Sequence, residues 1–271
     1  MTIRKKNALI LIDCQVDFVS PSGSLFVPGS EQDCKNITNF ILNNHEEIDW
    51  LGASLDSHRL NSIFHPSFWI DKNGKNPDPF TLILKQDVLD GKFSPRFYPQ
   101  ESIKYLESLE AQGDKHVIWP NHCLISSKGA NLDENILEAI KTWELKGKYC
   151  NFITKGTHVL TENYGIFCAQ VPIPGSPETD LNLRLLKTLE EYQNLYIAGE
   201  ARNFCVVNSL KQLLKHAPSL TSRLVLLEDC MSNVPGFDGL GDDVFDQARK
   251  AGVRFSTSTA ENLKNTKHSL V

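Results

Sequence analysis

The chain has 271 residues, of which 41% are hydrophobic, and a formal net charge of −5. That length supports one substantial core, and a mildly acidic chain without a basic run of five or more residues excludes a nucleic-acid binder. No apolar stretch approaches a membrane span, and an odd count of seven cysteines, without CxxC or zinc-knuckle spacing, fits reduced thiols in a cytoplasmic protein.

In chain order, strand-like runs alternate with helix-like ones. Residues 8–12 form a continuous apolar run that ends at Asp13, a strand and not a signal peptide. Helical spacing follows at Ile37, Phe40 and Ile41. Residues 50–55 predict a strand leading into Asp56, and residues 116–119 another, bounded by Pro120. Residues 132–145 carry helical spacing, 152–155 read as a short strand, and Leu181, Leu185, Leu189 and Tyr192 mark the next helix. An apolar strand then stops at Gly199, and a helical pattern (Val206, Leu210, Leu213, Leu214) begins at Cys205. A strand at 224–227, a helix at 243–251 and a strand at 253–255 close the pattern.

Short, fully apolar strands separated by helices predict an α/β fold: a parallel sheet with helices on both faces, a Rossmann-like three-layer sandwich. Residues 1–271 read as a single domain. Residues 59–100, with five prolines and scattered aromatics, read as an irregular lid or insertion within it.

Ligands of such sheets bind beyond the carboxyl ends of the strands. Asp13, Asp56, Trp119, Lys155 and the turn before Cys205 all fall at those ends. A thiol at a strand-to-helix switch faces the positive end of the helix dipole, which lowers its pKa and offers backbone N–H donors to an oxyanion. Asp13, directly after a buried strand, is placed to exchange a proton. Asp56 and His58 leave a strand end on one face, and with His122 they make a two-histidine, one-carboxylate set with open positions; His65 is a further candidate ligand. Lys155 beside an aspartate and a thiol would lower the thiol pKa. Gln15 and Asp17 read as turn supports, and Phe18 as a core or pocket aromatic. Each feature alone has a plainer reading: a helix or turn cap for Asp13, solvent-facing histidines, a surface lysine, an inert buried thiol.

Taken in order, Asp13, Asp56-x-His58, Trp119-Pro-x-His-Cys123, Lys155-Gly and Gly199-x-Ala-x-x-x-Cys-Val206 resemble the nicotinamidase branch of the isochorismatase-like cysteine hydrolases, over about residues 7–260. The resemblance implies Asp13, Lys155 and Cys205 as catalytic triad, and Asp56, His58 and His122 as ligands of a divalent metal, with His65 at a variable position. The metal implied is zinc first, with iron or manganese as alternatives. It implies backbone N–H groups of Ala201 and Cys205 as oxyanion hole, a cis peptide before Ala201, and Phe18 and Trp119 around a pyridine ring. The expected activity is hydrolysis of nicotinamide to nicotinate and ammonia through a cysteine thioester. The alternative is a related metal-assisted amidohydrolase acting on another small amide or carbamoyl compound. The expected partner is a small-molecule substrate, with no nucleic acid and no membrane; a homo-oligomer stays open. The turn Ala201-Arg-Asn-Phe-Cys-Val206 departs from the usual Ala-Thr-Asp-Tyr-Cys-Val, and the stretch from His58 to His122 is longer than in compact relatives. Both departures bear on substrate, and neither touches the triad.

Overall fold

The computed structural model describes residues 5–265. Its strands are β1 (Asn7–Ile12), β2 (Ile48–Asp56), β3 (Trp69–Asp71), β4 (Phe93–Pro95), β5 (Asn151–Lys155), β6 (Asn194–Gly199), β7 (Leu224–Leu227) and β8 (Arg254–Ser256). Its helices are α1 (Val16–Val19), α2 (Ser30–Asn43), α3 (Lys85–Leu89), α4 (Pro99–Ala111), α5 (Glu134–Glu144), α6 (Leu183–Leu189), α7 (Val207–His216) and α8 (Asp242–Lys250).

Six strands form one parallel sheet in the order β5-β2-β1-β6-β7-β8. Every residue of β1, β6 and β7 is buried, which explains their uninterrupted apolar sequence: both faces are covered. Strand alternation splits the core in two. Leu9 and Leu11 of β1 pack with Ile37, Phe40 and Ile41 of α2 and with Ile136, Ile140 and Trp143 of α5. Ala8, Ile10 and Ile12 pack on the opposite side with Tyr105 and Leu106 of α4, Leu186 of α6, Leu210 of α7 and Phe245 of α8. The result is the three-layer arrangement expected.

The strand order reverses between β1 and β6, so the crevice at their carboxyl ends is the switch point where such sheets bind ligands. Gly199 closes the two ends together. It lies at φ +120°, and a Cβ there would sit 2.0 Å from the Ile12 carbonyl oxygen, so only glycine fits.

Two expectations need correction. Residues 116–119 do not join the sheet; their pairing is a single antiparallel bridge between Val117 and Leu82. The apolar run is real, but it is buried beneath the insertion, where Ile118 exchanges backbone hydrogen bonds with Phe80 and Thr81. Nor is the 59–100 segment wholly irregular. It holds the antiparallel β3–β4 pair and α3, and its last residues open α4.

Candidate active site

Asp13 follows β1 at φ +47°, a left-handed conformation uncommon for a residue with a side chain. Ser54 of β2 holds it at both ends: the Ser54 hydroxyl donates to Asp13 Oδ1 (2.6 Å) and accepts from the Asp13 N–H (3.1 Å). Lys155, the last residue of β5, brings its Nζ to 2.9 Å from Asp13 Oδ2, 2.6 Å from Asp56 Oδ1, 2.8 Å from the Asn163 carbonyl oxygen and 3.6 Å from Cys205 Sγ. Cys205 sits on a wide π-type turn, Arg202–Val206, that joins β6 to α7. The Ala201 carbonyl at its start accepts from Phe204 N–H (3.0 Å) and Val206 N–H (3.1 Å). The Glu200–Ala201 peptide is cis, as the family resemblance implies. Base, cation and thiol thus come from three strand ends and meet in one buried place.

The electrostatics differ from expectation in one respect. The Cys205 thiol is pushed well up, because burial outweighs the stabilising Lys155 charge, and Asp13 and Asp56 push the same way. A helix-end position does not by itself make a thiolate here. The Lys155 ammonium is held well above its usual range: burial disfavours the charge, but Asp13, Asp56 and Cys205 outweigh it. Asp13 is raised, chiefly by burial, with Lys155 pulling it back. Asp56 is lowered, since Lys155 and His58 overcome the burial penalty. Burial thus disfavours both the Cys205 thiolate and the Asp13 carboxylate, and the Lys155 charge beside them favours both.

Asp56, His58 and His122 are buried and offer ligand atoms all within 4.8 Å of one another. Each histidine Nδ1 meets a backbone carbonyl: His58 that of Gly156 (3.0 Å), His122 that of Pro120 (2.8 Å), His65 that of Arg59 (3.0 Å). A ring that donates from Nδ1 presents a bare lone pair at Nε2, the tautomer a metal requires. Nε2 of His58 and of His65 is buried without a hydrogen-bond partner, and His58 Nε2 faces Asp56 Oδ2 at 3.4 Å. Burial and neighbouring charge push His65 down to about 2 and His122 to about 4, which keeps both neutral. A lone pair and a carboxylate oxygen facing each other without a proton or cation between them would repel. The residues present thus fit a divalent cation bound by nitrogen and oxygen. His65 lies with its ring centroid 5.5 Å from that of His122 and 5.7 Å from that of His58, beside the set.

The supports are visible too. Gln15 clamps the Asp56 backbone, donating to its carbonyl (2.8 Å) and accepting from its N–H (2.7 Å). Asp17 accepts from Cys123 N–H at 2.6 Å, which fixes the loop bearing His122. Gly156, at φ +72°, leaves room for His58; a Cβ there would stand 2.3 Å from its Cε1.

A narrow pocket, partly open to solvent, leads to Cys205. Phe18, Leu25, Trp119, Tyr164, Ala201, Phe204 and Val234 form its apolar walls, with Asp56, His122 and Glu162 as the polar lining. Trp119 Nε1 donates to the Tyr164 hydroxyl (2.9 Å), and Phe204 packs edge-on against the indole at 4.8 Å. Phe80 of the insertion and Phe237 reach the same indole at 5.9 and 5.8 Å. Sequence reasoning missed Glu162, Ser54 and Tyr164. Glu162 is buried, and burial raises its carboxyl to about 7; its only signal was a position shortly after Lys155.

No family model matches the chain. It is similar to the curated nicotinamidase of Saccharomyces cerevisiae, 29% identical over 206 residues, which cover 74% of this chain and 77% of that protein. Among solved structures, an Acinetobacter baumannii nicotinamidase/pyrazinamidase superposes with a TM-score of 0.62 at 18% identity, covering 94% of this chain and 98% of that one. The yeast nicotinamidase structure gives 0.62 at 22% identity, covering 92% and 99%. A Pyrococcus horikoshii pyrazinamidase solved in complex with zinc gives 0.52 at 20% identity, covering 93% and 99%. These structural likenesses carry the fold.

Proposed function

We infer that this chain, a member of the nicotinamidase / isochorismatase-like hydrolase family, hydrolyses nicotinamide to nicotinate and ammonia. The observation that carries the mechanism is the convergence of Asp13, Lys155 and Cys205 beside a pocket walled by aromatic rings.

Asp13 accepts the Cys205 proton, and Lys155 at 3.6 Å from Sγ stabilises the thiolate as it forms. The sulfur attacks the carboxamide carbon. Backbone N–H groups of Ala201 and Cys205 receive the oxyanion, a contribution of about 3–4 kcal/mol for one such donor. The carbon–nitrogen bond breaks as Asp13 returns its proton to the departing ammonia, leaving a thioester on Cys205. Water, deprotonated by Asp13, adds to the thioester; the carbon–sulfur bond breaks as Asp13 passes that proton to the Cys205 sulfur, and nicotinate leaves, its acid proton released to solvent. Lys155 stays charged throughout and keeps both carboxylates in place.

Phe18, Trp119 and Phe204 supply walls for a planar ring. Asp56, His58 and His122, with His65 beside them, would hold a divalent cation, for which we propose zinc; when bound, it supplies a fixed charge that orients a ring nitrogen. We propose a single domain whose insertion supports the pocket through Phe80, which packs against the wall residue Trp119.

The experiment is ammonia release from nicotinamide by metal-replete protein, beside Cys205→Ala and a panel of N-carbamoyl compounds. Release from nicotinamide that vanishes in Cys205→Ala supports the assignment. Near-normal turnover by Cys205→Ala ends the mechanism, and turnover of a carbamoyl compound alone replaces the substrate.

A further inference from the structure

Behind the nucleophile turn lies a second pair of carboxyl groups that the reaction does not touch. Glu200, directly before Ala201, is fully buried, and Asp33 of α2 is 7% exposed. Glu200 Oε2 accepts from the Ser232 N–H at 3.2 Å, while Oε1 meets no N–H or O–H. The carboxyl of Asp33 lies within hydrogen-bonding reach of the Glu200 carboxyl. Asp33 Oδ2 also accepts from the Ser232 hydroxyl at 2.5 Å. Ser232 in turn accepts the Arg202 N–H on its carbonyl at 2.8 Å, so the same three residues grip the turn on both sides of Ala201. Gly29, at φ +104°, makes room for this: a Cβ would stand 2.4 Å from Ser232 Oγ.

Two carboxyl groups in contact in a buried site share one proton, because both cannot carry charge there. Burial raises both carboxyls: Glu200 well above the carboxylate range, with Asp33 and Cys34 adding to it, and Asp33 against the restraint of hydrogen bonds from Ser232 and Glu200. Glu200 is thus the protonated donor and Asp33 the acceptor. The groups facing them are Cys34 on α2, Cys14 after β1 and Asp229 after β7. These are thiols and an acid, so a second negative charge here is repelled.

We propose that Glu200 is a positioning residue, whose carboxyl, hydrogen-bonded to Asp33 and Ser232, fixes the turn that presents the Ala201 N–H to the reacting carbonyl. The assignment rests on Ala201 being an oxyanion donor. A displacement of about 1 Å in such a donor costs about a hundredfold in rate, so the network acts on kcat and not on substrate binding.

The test compares Glu200→Ala with Glu200→Gln, which keeps an N–H donor toward Asp33 but cannot ionise. Glu200→Ala should lose about ten- to a hundredfold in kcat with KM within about twofold, and Glu200→Gln should restore most of it. At alkaline pH the wild type should lose kcat as Glu200 ionises, and Glu200→Gln should not lose it in that range. Amide hydrogen exchange across residues 200–206 reads the turn without substrate: it should accelerate in Glu200→Ala and stay slow in Glu200→Gln. Unchanged exchange and kcat in Glu200→Ala overturn the proposal, as does a Glu200→Gln enzyme as impaired as the alanine variant. If the wild type leaves nicotinamide intact, the substrate reading fails by itself, and the exchange rates still decide the role of Glu200.

Discussion

Ser54→Ala tests how the general base is held. Ser54 is fully buried on β2, and its hydroxyl is the short partner of Asp13 Oδ1 at 2.6 Å. A hydrogen bond to a charged group contributes about 1.5–3 kcal/mol, and about 1.4 kcal/mol is one pKa unit, so its loss should raise the Asp13 pKa by about 1–2 units. The sign follows from the site. Burial already lifts Asp13 above the carboxylate range, and Ser54 is one of the groups that restrains it. Asp13 must be ionised to take the thiol proton, so turnover falls as pH drops through its pKa. The acid limb of kcat/KM should therefore move to higher pH by about 1–2 units in the variant. The assay is ammonia release across about pH 5–9, with urea unfolding alongside; stability should fall by about 1.5–3 kcal/mol at neutral pH. A folded variant with an unmoved acid limb refutes the claim that the hydroxyl tunes the base.

Three further outcomes are expected. Gly156→Ala places a Cβ 2.3 Å from His58 Cε1 at a left-handed φ; metal content after dialysis should fall well below one equivalent while the chain remains folded, and full retention would show that His58 has room to shift. Extraction with a chelator should cost activity that one equivalent of zinc restores, and Asp56→Asn should weaken that rebinding by at least about tenfold in a zinc titration; unchanged rebinding would remove Asp56 from the ligand set. Phe80→Ala removes a half-exposed ring that packs edge-on against Trp119 at 5.9 Å; KM for nicotinamide should rise by about three- to tenfold with kcat little changed, since the loss is of support for a pocket wall and not of chemistry. A fall in kcat alone would point to a role in closure instead.

The sheet was legible wherever burial on both faces produces uninterrupted apolar sequence, as in 8–12 and 224–227. The same signal misled at 116–119, because a run buried under a lid and one buried in a sheet look alike in sequence. Asp13, Asp56, His58, Lys155 and Cys205 stand at or just beyond strand ends and His122 just beyond the buried run 116–119, where polar residues interrupt apolar sequence, and the structure brings all six together. Ser54 was hidden for the opposite reason: it lies inside the strand 48–56, where a small hydroxyl passes as filler until its partner is seen. Glu162 and Tyr164 belong to a loop without periodicity, and only the folded chain turns them into the pocket. The thiol pKa was misjudged because sequence shows the helix start but not the depth of burial, and desolvation dominates.

The strand order has a further consequence for how the catalyst is encoded. β1, β2 and β5 are complete by residue 155, and β6 through β8 begin at residue 194. The base, the lysine and the cation ligands are therefore inherited on one contiguous piece of chain, and the nucleophile with its oxyanion turn on another. Within the sheet the two pieces pair along a single ladder, from Asn7 against Asn194 to Ile12 against Gly199. Between them, Pro172, Pro174 and Gly175 are exposed. A chain opened at that loop would give two fragments, each chemically incomplete, whose activity on mixing reports the reassembly of one seam.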